Sequence, residues 1–284
     1  MIPKGKLLII GGHEDKGTPG ESLTIHKKKK SQSHFEILGI LISKIPRAHH
    51  IIEIIASASS IPLEMEELYI NSYLSQGFTH VGFIKVENKE DASDPVSIKK
   101  IHGAHAVFFT GGDQNKLISI LGQTELLRVI KNKYYSDKNF IVCGTSAGAM
   151  AMPETIITGG LIGEALYKDD IKIASGFNLI NEVIVDTHFI KRGRFGRLAH
   201  AVTLNPECLG IGLEEDTALI ISSGNEARCL GSGMIILIDG TKINSTNVNV
   251  VDSFKPIVVE NLKVSIIAEG SAYLIKERKL LKKG

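Results

Sequence analysis

The chain has 284 residues, 43% hydrophobic and 23% charged, with 28 Gly and 8 Pro. This is ordinary globular composition, which excludes collagen-like, low-complexity and disordered classes and leaves room for a sizeable core. Lys and Arg number 33 against 31 Asp and Glu, a net charge of +2, so no overall basic field draws the chain to nucleic acid or to a membrane surface.

Taken in order, short apolar runs alternate with helical patterns. Residues 6–10 read as a strand stopped by Gly11-Gly12, and 34–45 carry helical periodicity. Residues 51–56 form a β-branched strand. A helix over 63–76 is opened by Pro62 and stopped by Gly77. Residues 78–86 are a strand. Residues 104–110 are a buried strand ending at Gly111-Gly112, and another helix begins over 114–121. Residues 140–143 are a very short, very apolar strand. This alternation implies right-handed crossovers and a mostly parallel α/β sheet covered on both faces. Residues 179–186, 209–213, 218–222, 233–238 and 262–267 are strand-like with short links, and the tail is expected to add antiparallel strands to the sheet edge. With no Pro/Ser-rich linker, the expectation is a single domain over 1–284, with a core over about 6–222 and a β-rich extension over about 223–284. Residues 15–33, which include Lys27 through Lys30, read as a solvated loop over the carboxyl end of the first strand, where open α/β sheets bind ligands.

No apolar run reaches the roughly 18 residues of a membrane span. The opening residues pass straight into a strand with no secretory pattern. Cys143, Cys208 and Cys229 are odd in number and widely spaced, so they make no disulfide framework. These features predict a cytoplasmic protein without membrane or nucleic-acid partners.

The stretch richest in chemistry is Cys143-Gly144-Thr145-Ser146-Ala147-Gly148-Ala149-Met150. A strand runs into Gly-x-Ser-x-Gly and then into helix-forming residues, the context a nucleophile elbow requires. Gly144 and Gly148 give the tight turn its space, and the N–H of Ala147 can stabilise an oxyanion. A serine nucleophile needs a base. His188, at the end of the strand-like run before it, is best placed, with His13 as runner-up. His49, His50, His102 and His105 lie near strand starts, on the wrong edge. The residues alone leave the acid open among Glu154, Glu164, Asp169, Asp170 and Asp186. Asp186 would share a strand face with His188, and Glu164 lies in a Gly-rich loop with no packing reason for an acid. His188 follows Ser146 too closely for an α/β-hydrolase layout. With no His-Glu-x-x-His and no Cys-x-x-Cys, metal catalysis is disfavoured and no cofactor is implied.

Five motifs together resemble the cyanophycinases, serine peptidases of the family that also holds the aspartyl dipeptidases. They are Gly11-Gly12-His13-Glu14-Asp15, then Phe109 through Gln114, then Gly144 through Ala149, then Asp186-Thr187-His188-Phe189 with Arg192, Arg194 and Arg197, then Gly210-Ile211-Gly212 through Thr217-Ala218. The resemblance implies a flavodoxin-like, class I glutamine amidotransferase-like three-layer sandwich, assembled as a homodimer. It implies Ser146 as nucleophile, His188 as general base, and Glu164, at the spacing of the family acid, as the third member ahead of Asp186. It implies Gly112 and Ala147 as oxyanion donors, and Gln114, Arg192, Arg194 and Arg197 as substrate-binding residues. Two stretches depart from the family pattern: Leu213-Glu214-Glu215, and residues 161–175.

The implied substrate is cyanophycin, a poly-aspartate with arginine on each β-carboxyl, cut to β-aspartyl-arginine dipeptides. Arg forks suit its carboxylates, and Asp113, Glu14 and Asp15 could receive its guanidinium groups. The competing readings are a peptidase for other acidic peptides, of the aspartyl dipeptidase kind, and a non-catalytic binding module on the same fold.

Overall fold

The computed structural model of the protein describes residues 1–13, 36–45, 51–160 and 166–281. Along the chain the elements are β1 (Lys6–Ile10), α1 (Glu36–Ser43), β2 (Ile51–Ile55), α2 (Pro62–Ser75), β3 (His80–Phe83), α3 (Pro95–Gly103), β4 (Ala106–Phe109), α4 (Gln114–Leu121), α5 (Glu125–Ser136) and β5 (Ile141–Thr145). There follow α6 (Ala147–Met150), β6 (Thr155–Gly159), β7 (Lys172–Ser175), β8 (Val183–Asp186), α7 (Phe195–Leu204), β9 (Leu209–Leu213), β10 (Thr217–Ser222), β11 (Glu226–Gly231) and β12 (Met234–Asp239). The tail adds β13 (Ser245–Thr246), β14 (Val259–Glu260), β15 (Lys263–Ala268), β16 (Ala272–Leu274) and β17 (Lys279–Leu281). The run Lys27 through Lys30, together with Glu14 and Asp15, lies outside the described residues.

The main sheet has the order β17-β16-β11-β10-β1-β5-β4-β2-β3. From β1 to β3 its neighbours are parallel, and from β1 outward through β10 they are antiparallel. This is the α/β sheet with antiparallel edge strands that the alternation predicts. The parallel strands read as near-continuous apolar runs because both faces are buried. Alternate residues serve two cores. Leu8, Ile10, Ile52, Ile54, Phe108 and Cys143 pack with Ile37, Leu41 and Tyr73 of α1 and α2. Leu7, Ile9, Val107, Phe109 and Val142 pack with Ile101, Leu117 and Ile130 of α3, α4 and α5. Helix starts are capped as their sequences dictate: Asp94 accepts from the N–H groups of Val96 and Ser97, and Asp113 from that of Asn115.

The tail departs from expectation. Only β10, β11, β16 and β17 extend the main sheet, whereas β8, β9, β12 and β15 form a second sheet in the order β15-β12-β9-β8. β8 and β9 are parallel, joined through α7, which makes a further βαβ unit. The reason is visible in β9, whose five residues are all buried. Ile211 and Leu213 face the main core, while glycines 210 and 212 make room for Val202 and Leu198 of α7 and for the Phe189 ring. An edge strand of the main sheet would leave that apolar run uncovered. β9 ends in the second sheet and β10 begins in the first, so the short link between them is a corner where the two sheets meet.

Candidate active site

Three strand ends converge at one edge. β5 ends at Thr145 and α6 begins at Ala147, which leaves Ser146 alone on the turn with φ +50°. A non-glycine residue rarely takes that conformation, and the surroundings must hold it there. The Ser146 N–H donates to the Ile10 carbonyl of β1 at 3.1 Å. A side chain at Gly144 would meet the Gly148 backbone, and one at Gly148 the Phe109 carbonyl, so the small residues around the serine are a steric requirement.

His188 reaches the serine from the second sheet. β8 ends at Asp186, and His188 turns out of the strand at φ +48°, its N–H donating to the Gly11 carbonyl at 3.0 Å. The imidazole lies over Gly12, where any Cβ would run into the ring. Its Nε2 is 3.0 Å from Ser146 Oγ, and its Nδ1 is 2.7 Å from Glu215 Oε1. A carboxylate at Nδ1 fixes the tautomer: Nδ1 carries the proton, and Nε2 accepts from the serine hydroxyl. Glu215 stands on the β9–β10 corner. Its Oε2 accepts from Lys191 Nζ at 2.7 Å, and its carbonyl accepts from the Thr217 hydroxyl at 3.0 Å. The neighbouring Glu214 carboxylate accepts from the N–H groups of Ile190 and Lys191 at 2.6 and 3.2 Å. Both glutamates therefore brace the turn that carries His188.

The electrostatics suit a base. Burial lowers the His188 pKa; the Glu215 hydrogen bond pulls it back up, and the charges of Arg192 and Arg194 lower it, leaving it below the ordinary value. Burial alone would raise the Glu215 carboxyl, but hydrogen bonds from Lys191 and His188 hold it below its ordinary value. At neutral pH this is a neutral imidazole beside an ionised carboxylate.

Sequence reasoning missed Glu215. Glu164 lies outside the described residues, and the Nδ1 it was expected to orient is bonded to Glu215. Asp186 does not face His188 either. The period-two argument fails because the strand ends at Asp186 and His188 leaves it with positive φ. Asp186 is fully buried and accepts from the Thr187 N–H at 2.8 Å, from Arg194 at 3.0 Å, and from Arg197 through two bonds of 2.6 Å. Asp186 thus engages two of the three arginines expected to bind substrate. The Arg197 fork closes on Asp186 at 6% exposure, and Arg194 spends one nitrogen on Asp186 and the Thr187 carbonyl, the latter at 2.7 Å. Both hold an internal carboxylate where a substrate carboxylate was expected. Arg192 is exposed one turn beyond His188, its N–H on the His188 carbonyl at 3.0 Å.

Gly111 lies against Ser146, and the next residue, Gly112, has φ +141°, where a Cβ would run into the Ala58 carbonyl. That carbonyl also accepts from the Asp113 N–H at 2.9 Å. Asp113 caps α4, and the Gln114 amide donates to the Ile157 carbonyl at 3.1 Å. His13 lies three residues beyond β1, exposed with φ +51°, and its charge reaches Glu215. His102 sits in the last turn of α3, and His49 and His50 lie outside the described residues. Cys143 is fully buried, and burial pushes its thiol well up, so it packs and does not react. No group of metal-ligating side chains occurs among the described residues, and no described helix is long and apolar enough to cross a membrane.

A serine, a histidine and a carboxylate aligned at the carboxyl edge of a parallel sheet is the arrangement of a serine hydrolase. The model of peptidase family S51 matches residues 30–229. The chain belongs to that family: it is a hydrolase, a serine peptidase. It is 32% identical to a cyanophycinase of Trichormus variabilis over 278 residues, covering 98% of this chain and 88% of that one. It is 31% identical to a cyanophycinase of Geminocystis herdmanii over 270 residues, covering 95% and 93%. Among solved structures it resembles a peptidase from an acI-B1 Actinobacterium, with a TM-score of 0.64 at 22% identity over 96% of this chain and 97% of that one. A putative peptidase E of Listeria monocytogenes superposes with a TM-score of 0.51 at 13% identity, over 81% and 99%. At those identities the two structures speak for the fold.

Proposed function

We propose that the protein is an exopeptidase that hydrolyses cyanophycin to β-aspartyl-arginine dipeptides through Ser146, His188 and Glu215. The observation that carries this reading is the unbroken line from Ser146 Oγ to His188 Nε2 at 3.0 Å and from His188 Nδ1 to Glu215 at 2.7 Å. The likeness to cyanophycinases over nearly the whole chain supports the substrate.

In this mechanism Ser146 Oγ attacks the scissile carbonyl as its proton passes to His188 Nε2. The Gly112 and Ala147 N–H groups take the oxyanion of the tetrahedral intermediate. The His188 proton then goes to the leaving amine, which departs and leaves an acyl group on Ser146. Water attacks that acyl group, gives its proton to His188, and frees the serine. Glu215 stabilises the imidazolium without taking its proton. Glu215 takes the role that the motif resemblance gave to Glu164.

The substrate presents both carboxylates and guanidinium groups. Arg192, exposed beside the histidine turn, is our candidate for a carboxylate. Asp113, on the loop that also carries Gly112, and Gln114, the first residue of α4, are candidates for the basic side arm. We place the enzyme in a reducing compartment, a reading supported by three free, buried cysteines, and expect a homodimer, as the motif resemblance implies.

The test is direct. Purified protein is incubated with cyanophycin, and the soluble products are identified by mass spectrometry. β-Aspartyl-arginine as the main product supports the reading. Intact polymer, or free arginine alone, rejects it.

A further inference from the structure

At the opposite end of the main sheet from Ser146 lies a second feature that catalysis does not use. β2 reads Ile-Ile-Glu-Ile-Ile, and the alternation puts Glu53 on the same face as Ile55, which belongs to the core against α3. Glu53 is 2% exposed, and its Oε2 has no hydrogen-bond partner among the described residues. Room for the carboxyl exists because residue 82, its neighbour on edge strand β3, is glycine; a Cβ there would run into the carboxyl oxygens. A buried, unpartnered acid costs stability. Sequences usually accept that cost where the group serves a ligand.

Glu53 lines a shallow, open pocket of about 450 Å³ together with Ile51, His80, Val96, Lys99 and Lys100. Its walls are apolar at Ile51 and Val96. Its mouth is basic: His80, Lys99 and Lys100 are exposed, and Lys100 spends one of its protons on the Phe83 carbonyl at 2.8 Å. Burial raises the Glu53 pKa while the charges of Lys100 and His80 favour its ionised form, so a bare cation meets the basic rim first and a bare anion meets the acid behind it. A molecule carrying both charges, joined by a short aliphatic stem, meets complementary groups throughout.

We infer that this pocket binds a small zwitterion, a free amino acid or dipeptide, whose ammonium or guanidinium group pairs with the buried, unpaired carboxyl of Glu53 while its carboxylate meets the His80, Lys99 and Lys100 rim. The proposal is independent of the identity of the peptidase substrate.

The test is calorimetric titration of the intact protein with L-arginine, compared with guanidinium chloride and with sodium acetate. The protein should bind L-arginine at least about tenfold more tightly than either half-molecule. Glu53→Gln should weaken arginine binding by about tenfold or more. Val96→Trp, a substitution at an exposed helix position that closes the mouth, should weaken it by a similar factor. Were Glu53→Gln to fail to fold, Val96→Trp carries the test alone. No arginine binding by the wild-type protein, or equal binding by wild type and Val96→Trp, would overturn the proposal.

Discussion

The elbow at Ser146 and the corner at Glu215 meet on one histidine, yet they are built differently. The elbow is local. Five consecutive residues, Gly144 to Gly148, set the turn, the positive φ and the small flanks, and a strand and helix on either side fix its direction. The corner is not local. Glu215 reaches His188 only because β9 joins the second sheet and β10 the first, so that the link between them passes the end of β8. Local geometry can be read from a window of residues, whereas a corner between two sheets requires knowing which strand joins which sheet.

The largest expected effect breaks the local half. Ser146→Ala should lower kcat by roughly 10⁴-fold or more, because binding and oxyanion stabilisation alone remain. Steady-state turnover, with circular dichroism to confirm the fold, checks it. A variant retaining more than about a tenth of wild-type turnover would remove Ser146 as nucleophile.

The same contrast explains what the sequence made legible. β1, α4 and β9 have the expected boundaries, because each is a short apolar or amphipathic run bounded by Gly, Asp or an acidic pair. Ser146 and His188 stand out for the same reason, each at the end of a strand-like run. Glu215, the acid proposed here, did not stand out. Asp186 has the better spacing on an ideal strand, but the strand stops at Asp186, two residues before His188, so that rule does not hold. The departure at Leu213-Glu214-Glu215 was the available signal: two acids following the Gly-Ile-Gly strand, in a motif already singled out. The pairing of two arginines with Asp186 was hidden for a related reason. Three cations near a helix start look like a substrate clamp until Asp186 is seen buried beneath two of them.

The next effect separates those arginines. Arg197→Met should cost roughly 3–5 kcal/mol of stability, since Asp186 loses its bidentate partner in a dry site. The readout is the midpoint of chemical denaturation. Arg192→Ala should leave that midpoint nearly unchanged and raise KM for cyanophycin by about tenfold, as the loss of a charge-assisted contact predicts. A stable, active Arg197→Met protein would show that the Asp186 cluster contributes little.

The smallest effect concerns Lys191, which shares Glu215 with His188. Removing its charge in Lys191→Met leaves the carboxylate to the imidazolium alone. The His188 pKa should then rise, while Arg192 and Arg194 continue to oppose protonation and His13 remains near Glu215. The neutral base is lost as pH falls through that pKa, so the acid limb of kcat/KM should move upward by about half a pH unit. Lys191 is exposed, and the shift should shrink in high salt. An acid limb that stays put at low salt, or moves to lower pH, contradicts the shared-carboxylate geometry.

The most direct test of the Ser146–His188–Glu215 line is turnover of cyanophycin by Glu215→Gln and Glu164→Gln, prepared and assayed side by side. Glutamine keeps the size of either side chain but can neither fix the imidazole tautomer nor stabilise the imidazolium. The account predicts a loss of roughly 10³-fold or more for Glu215→Gln and a change within about threefold for Glu164→Gln. The reverse ranking, in variants that fold, would contradict it and return the role to Glu164.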